Sequence, residues 1–147
     1  MADLKRILVP TDFTETSDRA VDWALMLASR LGAAVTVMHS YEIPLIGFPE
    51  GTIIATPEIA ARIAEASRNA LDAVVEKRRG GAVPLDSVLR EGVAWETINQ
   101  VADELDADFI VIGTHGRRGL ARALLGSVAE NVVRTAHRPV VTIRAEH

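Results

Sequence analysis

The chain has 147 residues, a formal net charge of −4 and no cysteine; it fits one domain, 1–147, and the lack of thiols excludes a disulfide framework, a cysteine nucleophile and a zinc–cysteine centre. A hydrophobic share of 48% with only 4% aromatics predicts a core of Val, Ile, Leu and Ala, as in a parallel sheet covered on both faces. The acidic balance argues against general nucleic-acid binding, no apolar run approaches the roughly 20 residues that span a bilayer, and Met1-Ala-Asp-Leu-Lys-Arg6 lacks a signal-peptide core, so a cytoplasmic protein is expected.

Arg6-Ile-Leu-Val-Pro10 reads as a first strand, ended by the turn chemistry of Thr11-Asp12-Phe13-Thr14. Thr14 or Thr16 can cap the helix that follows. Ala20, Val21, Ala24, Leu25, Ala28 and Leu31 recur there at helical spacing up to a closing Gly32. Ala34 to Met38 is the second strand, with His39-Ser40 at its C-terminal end. Glu42 to Ala55 reads as a long, apolar-rich connection with two prolines and two glycines, a length that is usually functional or mobile. Thr56-Pro57 opens a second helix, which Ile59, Ile63, Ala66, Ala70, Val74 and Val75 carry on to Gly80-Gly81.

Leu85 to Leu89 is a third strand, which Asp86 marks as an edge. Trp95, Ile98, Val101, Ala102 and Leu105 give a third helix. Phe109 to Ile112 is the fourth strand, Val128 to Ala136 the fourth helix and Pro139 to Ile143 the fifth strand. This alternation predicts an α/β fold, a doubly wound five-stranded parallel sheet with four helices. Such sheets bind ligands beyond the C-terminal strand ends, where strand order reverses. Pro10-Thr11-Asp12, His39-Ser40 and Gly113 are therefore expected to converge on one crevice.

Gly113-Thr-His-Gly116 directly follows the fourth strand, and Gly126-Ser127 directly precedes the fourth helix. Glycine lets a backbone approach a phosphate closely, and the first-turn N–H groups of a helix point at its charge. Six arginines (117, 118, 122, 134, 138 and 144) and one acid, Glu130, lie between 113 and 144. Arg134 and Arg138 suit a helix C-terminus. Arg117, Arg118 and Arg122 lie inside the glycine loop, where they can neutralise a phosphate.

The chain resembles the universal stress proteins over essentially its whole length. The resemblance rests on Ile7-Leu-Val-Pro-Thr-Asp12, the helix Ala20 to Leu31, His39 and Asp106-Ala-Asp-Phe-Ile-Val-Ile-Gly113. Above all, Gly113-x2-Gly116-x9-Gly126-Ser127 is similar to the signature of the ATP-binding branch. The resemblance implies a Rossmann-like strand order 3-2-1-4-5 and ATP, with Mg²⁺, as ligand. It also implies a homodimer through antiparallel pairing of the two fifth strands, Val140 to Ile143, an otherwise open apolar edge.

By position, Asp12 is expected to approach the ribose hydroxyls or a phosphate-bound metal, unless it serves only as a turn residue accepting backbone N–H bonds. Pro10 and Thr11 would line the adenine side, with Ile112 beside the base. Ser40 stands where the family often has valine, so its hydroxyl is expected to weaken adenine binding slightly. Gly113 and Gly116 would let the chain pass close to ribose and phosphates, among Thr114, His115, Arg117, Arg118 and Gly119. Gly126, Ser127 and Val128 would donate to the β- and γ-phosphates. The loop Arg117 to Leu125 is expected to be mobile when empty and to fold over a bound triphosphate.

His115 reads as a loop histidine beside the ligand rather than a general base, and His137 as a turn residue. His39 and His115 have no third metal ligand at helpful spacing, so no metal site is assigned to side chains. The expected role is a nucleotide-dependent stress-response sensor or regulator. One alternative is an interaction module with a vestigial nucleotide site, docking partners through Ile43, Leu45, Ile46, Phe48, Ile53 and Ile54. The other is a slow ATPase. Against an efficient enzyme, there is no P-loop Gly-Lys-Ser/Thr, and Asp108 lies at the wrong end of its strand to hold a metal.

Overall fold

The computed structural model describes residues 3–115 and 125–145, and of residues 46, 48 and 52–54 the backbone alone. Arg6–Pro10 (β1) turns into Glu15–Leu31 (α1), which leads to Ala34–Tyr41 (β2). Leu45–Phe48 (β3) and Gly51–Ile54 (β4) come next, then Pro57–Glu76 (α2) and Leu85–Glu91 (β5). Ala94–Glu104 (α3), Phe109–Gly113 (β6), Ser127–Thr135 (α4) and Val140–Ile143 (β7) complete the order.

β5, β2, β1, β6 and β7 lie side by side in that sequence, every neighbouring pair parallel. Counting only the strands of this sheet, the order is the expected 3-2-1-4-5. Alternation along the strands divides the core into two layers. Ile7, Val9, Val35, Val37 and Val111 pack against Ala20, Val21, Ala24 and Ala28 of α1 and Leu71 of α2. Leu8, Met38, Ile110 and Ile112 pack on the other face against Ile98 and Val101 of α3 and Ala129 and Val132 of α4.

The helix ends follow local chemistry. Thr14 caps α1 by accepting from Ser17 N, and Gly32, at φ +69°, closes it with an N–H on Ala28 O. Thr56 caps α2 through Ile59 N, with Pro57 in the first turn. α2 stops at Glu76 rather than running on to Gly80-Gly81. Arg78 accounts for the early end: its Nη1 donates to Val74 O at 2.9 Å while its Nε reaches Asp22 of α1 at 2.8 Å. A guanidinium that satisfies a terminal carbonyl and ties down a neighbouring helix favours ending the helix there.

The 42–55 segment differs most from expectation. Two four-residue runs form an antiparallel hairpin, with Leu45 opposite Ile54 and Phe48 opposite Gly51. The prolines flank and turn this hairpin rather than leaving it irregular. At the opposite end of the sheet, Asp108 Oδ2 accepts from Lys5 N at 2.6 Å and Arg6 N at 2.9 Å. Those backbone donors hold its carboxyl below the usual range. Asp108 thus ties the start of β6 to the start of β1.

Candidate functional site

Three strand ends meet above α3 and α4. Thr11, buried, extends the β1–β2 ladder by donating its N–H to Met38 O at 2.8 Å. Its hydroxyl accepts from Phe13 N at 3.0 Å and shares a 3.0 Å bond with Ser17 Oγ. Phe13 sits at φ +67°, a left-handed position for a bulky residue, so the turn needs these supports. Asp12 supplies others, its Oδ1 accepting from Thr14 N at 3.1 Å and from Thr14 Oγ1. The turn-residue role of Asp12 is therefore present, and its half-buried side chain also lines the cleft.

His39 closes the β2 end. Its Nδ1 donates to Thr11 O at 2.7 Å, and its ring lies 4.3 Å from that of Phe13, centroid to centroid. On the β6 side, Thr114 is buried and donates its N–H to Ile143 O at 2.8 Å. Its hydroxyl bonds His115 Nδ1 at 2.9 Å, and its carbonyl accepts from Gly126 N. The last bond fixes the two ends of the glycine loop to each other.

Gly113 has a reason the sequence did not reveal. A Cβ there would stand 2.9 Å from Thr16 Cγ2 and 3.3 Å from the Thr16 backbone. Glycine is needed for the first turn of α1 to press against β6, whatever else it does for a ligand.

Gly126 is the N-cap of α4 in an extended conformation (φ −62°, ψ 156°) and offers no side-chain acceptor to the helix. Ser127, Val128 and Ala129 of the first turn line the cleft. Helix N–H groups without a cap, at the positive end of the dipole, are suited to an anion.

Between these elements lies a cleft of about 500 Å³. It brings together Pro10, Thr11, Asp12, Ser40, Ile112, Gly113, Thr114, His115, Gly126, Ser127 and Val128. Gly116, Arg117, Arg118 and Gly119 lie outside the described residues, as does Arg122, and so does the expected closure of their loop. The sequence did not single out Met38, Ala94, Ile98 and Ala129, which supply apolar wall, or Ser17 and Glu42. Ile98 had a signal in its helical periodicity, but that signal reads equally as core.

Among the described residues, the cleft's only carboxylates are those of Asp12 and Glu42. No group of three His, Cys, Asp or Glu side chains among them is placed to hold a metal. Asp12 alone suits a Mg²⁺ carried mainly by phosphates, since that ion takes one or two carboxylates and keeps several waters. No helix among the described residues is long and apolar enough to cross a membrane.

A second hollow, about 400 Å³, lies under the hairpin, lined by Tyr41, Ile43, Leu45, Ala55, Ala60 and Glu91. Ile43 and Leu45 belong to the expected docking surface. The side chains of Ile46, Phe48, Ile53 and Ile54 lie outside the described residues.

The model of the universal stress protein family matches residues 3–144. The chain is 34% identical over 142 residues to universal stress protein MJ0531 of Methanocaldococcus jannaschii, covering 95% of this chain and 82% of that one. A universal stress protein solved in complex with cAMP shares the fold with a TM-score of 0.74 and 23% identity, over 99% of this chain and 100% of the other. The universal stress protein from Archaeoglobus fulgidus in complex with dAMP aligns with a TM-score of 0.62 and 26% identity, over 97% and 99%.

Proposed function

The chain belongs to the universal stress protein family, and from that premise we propose that its cleft binds an adenine nucleotide, ATP with Mg²⁺. Occupancy would regulate a stress response through the protein's surface rather than through turnover. The observation that carries this reading is the uncapped N-terminus of α4 facing a cleft whose far wall is the end of β2. β2 and β6 are two strands apart, about 10 Å at the usual interstrand spacing, which leaves room for a base at one end and phosphates at the other. The dAMP complex of the Archaeoglobus relative supports an adenine ligand.

In this reading the base lies against Ile112, Ser40 and the backbone of Pro10 and Thr11. Asp12 faces the ribose hydroxyls or the phosphate-bound Mg²⁺. Ser127 and Val128 donate N–H groups to the terminal phosphates, and Arg117, Arg118 and Arg122 neutralise them. A ligand drawn from the cellular ATP pool makes the cytoplasm the expected compartment. Two copies are expected to pair through β7. No residue is assigned a catalytic role, and hydrolysis would at most be slow.

The test is the nucleotide content of the purified protein, by acid denaturation and chromatography, beside titration calorimetry with ATP·Mg²⁺. Co-purified or micromolar ATP supports the reading. An empty protein with no binding heat overturns it. That result would favour a partner-docking module, for which the 65% exposed Leu45 beside the hollow under the hairpin speaks.

A further inference from the structure

Ser40 ends the β2 side of the cleft, and one hydrogen bond limits what its hydroxyl can offer a ligand. Ser40 Oγ donates to the carbonyl of Gly92, 3.1 Å away. That carbonyl belongs to a tightly held residue. Gly92 N–H donates to Tyr41 O at 2.8 Å. Its φ of +143° favours glycine, and a Cβ there would stand 2.8 Å from Thr97 Cγ2.

A serine hydroxyl has one proton and two lone pairs. With the proton committed to Gly92, only acceptor capacity remains for the cleft. Turning the hydroxyl toward a ligand carbonyl would break the bond to Gly92 O and leave that acceptor without it, at a cost. Glu42, two residues further on, also lines the cleft, and its carboxylate likewise only accepts. Of the polar side chains lining the β2 end, those of Ser40 and Glu42 therefore reward a ligand edge that donates.

Resting on the nucleotide reading above, we infer that Ser40 is a specificity-determining residue that selects a 6-aminopurine over a 6-oxopurine. The exocyclic amine of adenine gives a proton to the free lone pair of Oγ. The keto oxygen of hypoxanthine or guanine would face that lone pair instead. The hydroxyl thus favours adenine, the reverse of the slight weakening expected from its polarity alone.

The test is titration calorimetry with the Mg²⁺ complexes of ATP and inosine triphosphate, which exchanges the 6-amino for a 6-oxo group without adding a 2-amino group. The unmodified chain is expected to prefer ATP by about tenfold, the scale of one hydrogen bond kept rather than opposed. Ser40→Ala should reduce that preference to about twofold by weakening ATP while inosine triphosphate affinity stays in place or rises, which reports an intact site. Ser40→Thr, which keeps the hydroxyl, should keep the preference. An ATP-to-inosine-triphosphate ratio unchanged in Ser40→Ala overturns the inference and leaves the nucleotide reading standing. Loss of the preference in both variants assigns the effect to packing of the β2 end and also overturns it. An unmodified chain that binds neither triphosphate overturns the inference together with the nucleotide reading.

Discussion

Gly113 is hemmed in by protein before any ligand arrives. The nearest obstacle to a side chain is Thr16 Cγ2, and behind it stands the Thr16 backbone at 3.3 Å. Overpacking of this kind costs about 1–3 kcal/mol, roughly 2–4 °C of Tm per kcal/mol at this size. Gly113→Ala should therefore lower Tm by several degrees with no nucleotide present. Adding Thr16→Ser, which deletes Cγ2 but not the backbone contact, should restore part of the loss. Thermal melts of the single and double variants check this, and a Gly113→Ala protein as stable as its parent would remove the packing role. The glycine itself was legible in the sequence, but its neighbour was not, because nothing along the chain announces that α1 leans on the end of β6. Asp12 is similar: its side chain visibly builds the turn before α1, and any contact with ribose comes in addition.

At the scale of elements, α4 separates stability from binding. Its cap is a glycine in an extended conformation that other residues also adopt. Gly126→Asp would supply the missing cap, worth about 0.5–1 kcal/mol over glycine with the dipole included, and would put a negative charge where the phosphates are proposed to lie. The expected outcome is an unchanged or higher Tm with ATP affinity reduced at least tenfold, read by differential scanning and titration calorimetry. Equal ATP affinity would move the phosphates elsewhere. The strong 3.6-residue and strand-length patterns made all four helices and the five strands of the parallel sheet readable. The hairpin was not, because each arm has only four residues and Pro49-Glu50-Gly51 reads as loop punctuation as easily as a hairpin turn. The end of α2 was misjudged for a different reason: Arg78 stops the helix through contact with α1, a tertiary effect. Ala94 and Ile98 entered the cleft wall unforeseen because a helix's apolar stripe does not say which part of it meets a ligand.

Across the whole molecule, the N-terminal end of the sheet is tied together by one carboxylate. Asp108 anchors the N-terminal ends of β1 and β6 through backbone N–H bonds that lower its pKa from 3.8. A depressed carboxyl pKa contributes stability above the ordinary value and loses it as pH falls through the folded value. Asp108→Asn should thus cost stability at pH 7, with the difference from the parent shrinking below pH 3.8. Urea titrations at pH 7 and at about pH 3 measure that difference, and a pH-independent gap would deny the carboxylate its part.

The two lateral edges contrast. β5 carries Asp86, Arg90 and Glu91, charges that discourage another strand from pairing, whereas β7, Val140-Val-Thr-Ile143, carries none. The carbonyls of Pro139 and Ile143 accept from Ile110 N of β6 and from Thr114 N just beyond it, so by alternation the backbone groups of Val140 and Thr142 face outward. Val141 is 37% exposed on the face shared with Ile143. A second copy is therefore expected at β7, not β5, in a two-fold antiparallel pairing that places the same four residues on both sides. Thr142→Pro removes an outward N–H without touching the bonds to β6, and Val141→Lys adds a charge that would meet its own copy near the axis. Both should give monomers by sedimentation equilibrium while ATP affinity stays within about twofold, because the cleft proposed to bind it lies at the strand ends and not along the edge. A Val141→Lys protein that still sediments as a dimer would put the interface on another surface, and one that loses ATP affinity together with its partner would mean that the cleft is complete only in the pair.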